Sequence, residues 1–140
     1  MKRTNAALVG RVLSNRWTIV RPLGTGGTAS VYEAVHRNGR RAAIKVLHPE
    51  LADQRVARKR FQFEGYATNR VRHPNAVAIF DEGVEADGTA FLVMELLEGQ
   101  SLAQSLRGGM TFPVTVVAMI ALAVLDVLTS RTSRAWCIGT

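Results

Sequence analysis

Leu23-Gly24-Thr25-Gly26-Gly27-Thr28-Ala29-Ser30-Val31-Tyr32 is the stretch that decides how this chain is read. Before it, Trp17 to Leu23 is short and rich in β-branched residues; after it, Ser30 to His36 alternates in polarity. Both read as strands, with the glycines in the turn between them. A dinucleotide-binding turn would instead pass from a strand into a helix that holds the pyrophosphate at its N-terminus. Ser30-Val31-Tyr32-Glu33-Ala34-Val35 is a strand pattern, so that reading fails. A Walker loop fails too, because no Lys-Ser or Lys-Thr closes the glycines. Taken alone, the run fits a tight hairpin as well as a loop whose bare backbone approaches phosphate.

Outward from the glycines, Arg37-Asn38-Gly39-Arg40 supplies an Asn-Gly hairpin signal, and Arg41 to Leu47 reads as a third strand. That strand carries Lys45, fourteen residues after Val31, in Ala42-Ala43-Ile44-Lys45. A lysine directed inward from so apolar a strand needs a partner or a ligand. His48-Pro49 breaks the strand. Asp53 to Val71 then reads as a helix, with Val56, Phe63 and Ala67 among its apolar positions and Arg55, Arg58, Lys59 and Arg60 largely on the solvated side.

Glu64 lies on this helix and is the only acid between Asp53 and Asp81. It either pairs with Lys45 across the gap or is a surface acid among arginines. His73-Pro74-Asn75 ends the helix. Ala76 to Phe80 and Thr89 to Leu97 read as two further strands around an Asp87-Gly88 turn, and Gly99, Gly108 and Gly109 punctuate a short helix and a long apolar one. The expected class is α+β: a five-stranded antiparallel sheet with one helix inserted after the third strand, followed by helices.

Composition narrows the function. The chain has 140 residues, is 47% hydrophobic and 21% charged, and carries a net charge of +7; that is ordinary for a folded domain. Fifteen of its eighteen Lys and Arg residues lie at or before Arg72, against four of the eleven acids. A basic half suggests nucleic acid, but the cations are scattered and few aromatics accompany them, so no specific nucleic-acid partner is expected. Cys137 is the single cysteine, which excludes an internal disulfide. Met1 to Arg16 has no apolar core of leader length, and a cytoplasmic protein is expected. Phe112 to Leu125 is apolar over fourteen residues, short of the ~20 that a membrane span needs, so a core helix is the better reading.

In order and spacing together, these elements resemble the N-terminal lobe of a bacterial eukaryotic-like serine/threonine protein kinase, from about Trp17 to Leu128. The resemblance places Gly24, Gly26 and Ala29 on the glycine-loop positions, with Leu23, Thr25 and Gly27 beside them, and Val31 on the residue that covers the adenine. Ala43 and Lys45 match the strand motif, and Arg60-Phe61-Gln62-Phe63-Glu64 matches the helix segment whose glutamate pairs with that lysine. In Phe91-Leu92-Val93-Met94-Glu95-Leu96-Leu97-Glu98-Gly99, Met94 takes the gatekeeper position. Glu95 and Leu97 are implied to offer backbone groups to the adenine edge, and Glu98 to reach the ribose. The implied cofactors are ATP and Mg2+, the implied partners protein substrates, and the implied catalytic residues Lys45 and Glu64. The organisation that follows is an N-terminal extension (1–16), an ATP-binding lobe (17–98), the start of a helical lobe (99–128) and a tail outside the family pattern (129–140).

The departures from the family are specific. Ala29 replaces the third glycine, a mild change for a small residue. His-Arg-Asp, Asp-Phe-Gly and Ala-Pro-Glu do not occur, so the metal ligands are missing and the chain alone is expected to be inactive. Near Leu128, where the family continues toward Val-His-Arg-Asp, the chain ends in Arg134-Ala135-Trp136-Cys137-Ile138-Gly139-Thr140. The single tryptophan codon, read from its third base, forces valine, and the following shifted codons permit His, Arg and Asp. A frameshift between about codons 126 and 131 is therefore expected, and with it an uncovered apolar helix from Phe112 to Leu128. The other readings are a non-catalytic nucleotide- or partner-binding remnant and a small-molecule kinase.

Overall fold

In the computed structural model, the described residues are 8–52, 54–69 and 73–135. Cys137, the end of the tail, Asp53 and the end of the first long helix at Val71 lie outside them.

The sheet begins earlier than the sequence suggests. Strand β1 (Val12–Leu13) turns into β2 (Trp17–Thr25) through Ser14 and Asn15, with φ of 46° and 53°. Two left-handed central residues make the hairpin turn whose twist matches that of the strands. The Arg16 N–H closes it on the Leu13 carbonyl at 3.0 Å, and Ile19 and Arg11 extend the pairing. The glycine run then leads into β3 (Ala29–His36), and a turn with Gly39 at φ 88° leads into β4 (Arg41–Leu47). After two helices, β5 (Ile79–Val84) and β6 (Ala90–Met94) form a hairpin through Asp87-Gly88. The sheet is antiparallel with order β1-β2-β3-β4-β6-β5. It therefore has six strands, not the five expected. Residues of the supposed N-terminal extension belong to it: Leu13 is fully buried, and Leu8 packs on the same core.

The two-residue period of the strands divides the side chains between two faces. On one face Ile19, Tyr32, Ile44, Phe91 and Val93 make a continuous core. Each large apolar side chain buried there contributes about 1.5–3 kcal/mol. On the other face Ala29, Leu47, Ala90 and Leu92 pack against Phe61 of the following helix. The register puts Val31 opposite Lys45, Lys45 opposite Leu92 and Ala43 opposite Met94, so Val31, Ala43, Lys45 and Met94 share this second face.

The sheet curls until its outermost strands approach each other. Arg11 donates to Asp87 at 2.7 Å, the Ser14 N–H to Glu85 at 2.7 Å and Arg16 to Asp81 at 2.9 Å. Thr89 hydrogen bonds, with help from Arg11, hold the Asp87 carboxyl down at about 2.

Between β4 and β5 the expected single helix is two: α1 (Pro49–Ala52) and α2 (Arg55–Asn69). α2 rests on the sheet through Phe61 and Gly65. A methyl group on Gly65 would lie 2.7 Å from Leu92 Cδ2, so glycine sets the closeness of helix and sheet. Val56 and Phe63, two of the apolar positions set opposite the solvated arginines in the sequence reading, are instead exposed.

Among the described residues, those up to Asn69 together with Val77–Leu96 form one compact unit; 73–76 and those from Leu97 onward form a second. The second contains α3 (Leu102–Arg107) and α4 (Val114–Ala135). Ser101 and Gln104 cap α3 reciprocally, Ser101 accepting from the Gln104 N–H at 3.2 Å and Gln104 accepting from the Ser101 N–H at 2.9 Å. Along α4, Val116, Ile120, Ala123 and Val127 form a half-buried stripe, while Met119, Leu122, Leu125 and Leu128 are exposed. The apolar helix, read as a core element yet expected to lie uncovered here, is largely exposed among the described residues. His73 contacts Asp126 of α4 at 3.0 Å. No helix among the described residues is long and apolar enough to cross a membrane.

Candidate nucleotide site

Lys45 projects from the centre of β4, and its Nζ lies 2.6 Å from Glu64 Oε1 on α2. The pairing that the sequence left open is therefore formed. The Lys45 side chain is 22% exposed and that of Glu64 60%, so the ammonium is held where solvent or a ligand still reaches it. Phe61 lies beneath, its ring centre 5.8 Å from the ammonium.

The glycine run ends β2 and continues into the turn before β3, and Leu23, Gly24, Thr25, Gly26 and Gly27 are all exposed. The Gly26 N–H closes the turn on the Ala29 carbonyl at 2.9 Å. None of these three glycines holds a positive φ, whereas Gly10, Gly39, Gly88, Gly99 and Gly109 do. A Cβ added at Gly24 or Gly27 meets nothing within 4 Å, and at Gly26 only the Ala29 carbonyl at 3.6 Å, an ordinary contact. Neither backbone conformation nor internal packing calls for glycine here. What three bare positions provide is open approach to the backbone from outside.

The loop is tied down by residues that the motif reading missed. The His48 N–H donates to the Thr28 carbonyl at 2.9 Å, and its Nε2 lies 3.0 Å from the buried Ser30 Oγ, itself 3.3 Å from Thr25 Oγ1. The register held the signal. Leu47 pairs with Ala29, so the residue after Leu47 must face the loop.

The remaining site residues divide between the units. Ala29 and Ala43 are buried, and Val31 and Met94 half-buried, on the sheet face that carries Lys45. The Glu95 N–H is taken by the Ala78 carbonyl at 2.9 Å, so the group Glu95 can offer a ligand is its carbonyl. Leu97 and Glu98 are exposed and belong to the second unit. Among the described residues, no cluster of three or more His, Cys, Asp or Glu is arranged to hold a metal.

On the same sheet face Glu33 is buried between two arginines. Arg41 Nε donates to Oε1 at 2.8 Å, and Arg21 Nη2 lies 2.6 Å from Oε2 as an ion pair without hydrogen-bond alignment. The Arg41 hydrogen bond chiefly, against the opposing effect of burial, and the nearby charges hold the Glu33 carboxyl below its ordinary range.

The model of the protein kinase domain matches residues 17–130. The chain belongs to the protein kinase family. This kinase segment is 36% identical over 126 residues to a probable serine/threonine-protein kinase, pknA2, of Bifidobacterium longum, a match covering 86% of the segment and 16% of the relative. It is 43% identical over 99 residues to the serine/threonine-protein kinase pkn2 of Myxococcus xanthus, covering 70% and 12%. The crystal structure of the Mycobacterium tuberculosis PknI kinase domain superposes with a TM-score of 0.73 at 30% identity, over 91% of the segment and 52% of that domain. The segment thus spans less than a fifth of these curated relatives and about half of a kinase domain.

Proposed function

We propose that this segment binds ATP for a serine/threonine protein kinase, which transfers the γ-phosphate to Ser or Thr of protein substrates. The observation that carries the reading is the glycine run, where glycine serves neither the backbone nor the packing and leaves the main chain bare of side chains on its exposed side. Lys45, oriented by Glu64, supplies a fixed positive charge for phosphate oxygens. Val31, Ala43 and Met94 offer an apolar bed for the base, Leu23 flanks it, and the Glu95 carbonyl accepts a hydrogen bond at its edge. The family resemblance assigns the backbone and ribose contacts to Leu97 and Glu98. Residues 17–98 form the ATP-binding part, and 99–128 begin the helical lobe.

Family chemistry uses Mg2+ to neutralise phosphate charge. Among the described residues no cluster of His, Cys, Asp or Glu offers it a ligand set. Because His-Arg-Asp and Asp-Phe-Gly are absent from these 140 residues, they alone are proposed not to transfer phosphate. The need for ATP sets the work in the cytoplasm.

The test is transfer of labelled γ-phosphate from ATP to a general protein acceptor such as casein. It compares the 140-residue chain with the same chain fused to the catalytic half of a related kinase. Activity in the fusion, lost with Lys45→Met, supports the reading; a fusion that folds, binds acceptor and is unaffected by Lys45→Met contradicts it.

A further inference from the structure

α2 carries two of its three aromatics, Phe63 and Tyr66, on the side away from the sheet. Phe61 and Gly65 make the inward contact, while Val56, Phe63 and Tyr66 are 72%, 72% and 65% exposed. At about 100° per residue, Phe63 lies within about 20° of Val56 around the helix axis and Tyr66 about 80° away, so the three form one outward stripe. Arg55, Lys59 and Arg60 are exposed beside it. Lys59, Arg60, Phe63 and Glu64 line a shallow concavity of about 520 Å³. The helix holds four cations, and its single acid, Glu64, faces Lys45.

An outward stripe of this kind on a short helix marks a contact surface, with aromatic anchors flanked by arginine and lysine. We propose that this face docks an acidic peptide segment of a partner protein, which seats an apolar side chain beside Phe63 while its carboxylates meet Arg55, Lys59 and Arg60. Charge decides the occupant. The same face on a second copy would bring like cations together. An anionic membrane would satisfy the cations, but the apolar contact is limited to three residues, of which Phe63 lines a concavity, and that suits a side chain better than a lipid surface. The proposal rests on the outer face of α2 and does not depend on nucleotide binding.

The test titrates the 140-residue chain into a fluorescein-labelled peptide, Glu-Asp-Glu-Phe-Glu-Asp-Leu-Phe-Glu-Asp, and follows anisotropy. A control peptide has serine at its three apolar positions, and a second probe is phosphatidylserine–phosphatidylcholine vesicles. The expected result is saturable peptide binding, weakened at least about tenfold by Phe63→Ser, by Lys59→Glu with Arg60→Glu, and by the serine peptide. Because Phe63 is exposed, Phe63→Ser keeps the wild-type circular dichroism and melting midpoint; Tyr66→Ser gives a second, independent loss. Three results would each overturn the proposal: no saturation up to about 1 mM chain, equal binding by Phe63→Ser, or Phe63-dependent retention on vesicles without peptide binding.

Discussion

Replacing Lys45 by methionine separates the two things a lysine on an apolar strand can do. The Lys45–Glu64 pair is short at 2.6 Å, but the glutamate is 60% exposed, so water screens the attraction and the pair stabilises the fold by about 1 kcal/mol at most. Methionine keeps an unbranched stem between the buried Ile44 and Val46. The variant without ligand should therefore melt within about 4 °C of wild type, at roughly 3–4 °C per kcal/mol for a chain this size. The ligand response should change much more. ATP at about 100 times its dissociation constant stabilises wild type by about 2.7 kcal/mol, or about 10 °C. Losing a charge-assisted contact of about 1.5–3 kcal/mol weakens binding roughly tenfold to a hundredfold. At the same ATP concentration about 1.4 to 0.4 kcal/mol then remains, and the shift falls below about 6 °C. Differential scanning fluorimetry with and without ATP reads both numbers. A variant that keeps the full shift would refute the assignment of Lys45 to the ligand. A ligand-free loss above about 10 °C would show that the lysine is a structural residue.

Gly24→Val should leave the melting midpoint within about 2 °C, since no positive φ and no neighbour opposes a side chain there, yet weaken ATP binding by closing the approach to the loop; an ATP titration of the folded variant checks this. Gly83→Ala is the opposite case: its Cβ would lie 2.6 Å from the buried Phe91 ring, and overpacking of about 1–3 kcal/mol should appear as a lower urea midpoint with little change in slope. Glu33, with its pKa lowered from the ordinary 4.5, binds its proton less readily folded than unfolded. Its contribution is complete above that ordinary value and is lost as the pH falls through the depressed folded one. Glu33→Gln should therefore cost about 1–2 kcal/mol at neutral pH and flatten the acid limb of the midpoint-against-pH curve; an unchanged acid limb would exclude the Arg21–Glu33–Arg41 cluster as its source.

Much of the sheet was readable because its signals are local. Arg41–Leu47 has the same bounds in sequence and structure, set by Asn38-Gly39 before it and His48-Pro49 after it. β1 was missed because it is two residues long and its turn is Ser14-Asn15, without the glycine that usually marks two left-handed positions. β5 begins at Ile79 and runs to Val84, later than expected, because Asp81, Glu82 and Gly83 do not look like strand residues; pairing with β6, the Arg16–Asp81 ion pair and the hydrogen bond from the Ser14 N–H to Glu85 hold them there.

The outward stripe of α2 could not be read from periodicity. Val56, Phe63 and Ala67 have core-like spacing, but Gly65 lets the backbone approach the sheet on the other side. In the site, Lys45 and Glu64 were legible as a spacing, and only the structure shows them in contact. The His48 tether depends on strand register, and no motif carries it.

The central claim is that the exposed glycine run and Lys45 together hold a nucleoside triphosphate. Calorimetric titration of ATP into the 140-residue chain tests it most directly. Saturation is expected at one ATP per chain with a dissociation constant below about 1 mM, weakened at least about tenfold in Lys45→Met and weakened also in Gly24→Val while each variant stays folded. No saturable heat in the folded wild-type chain, or equal binding by both variants, would contradict it.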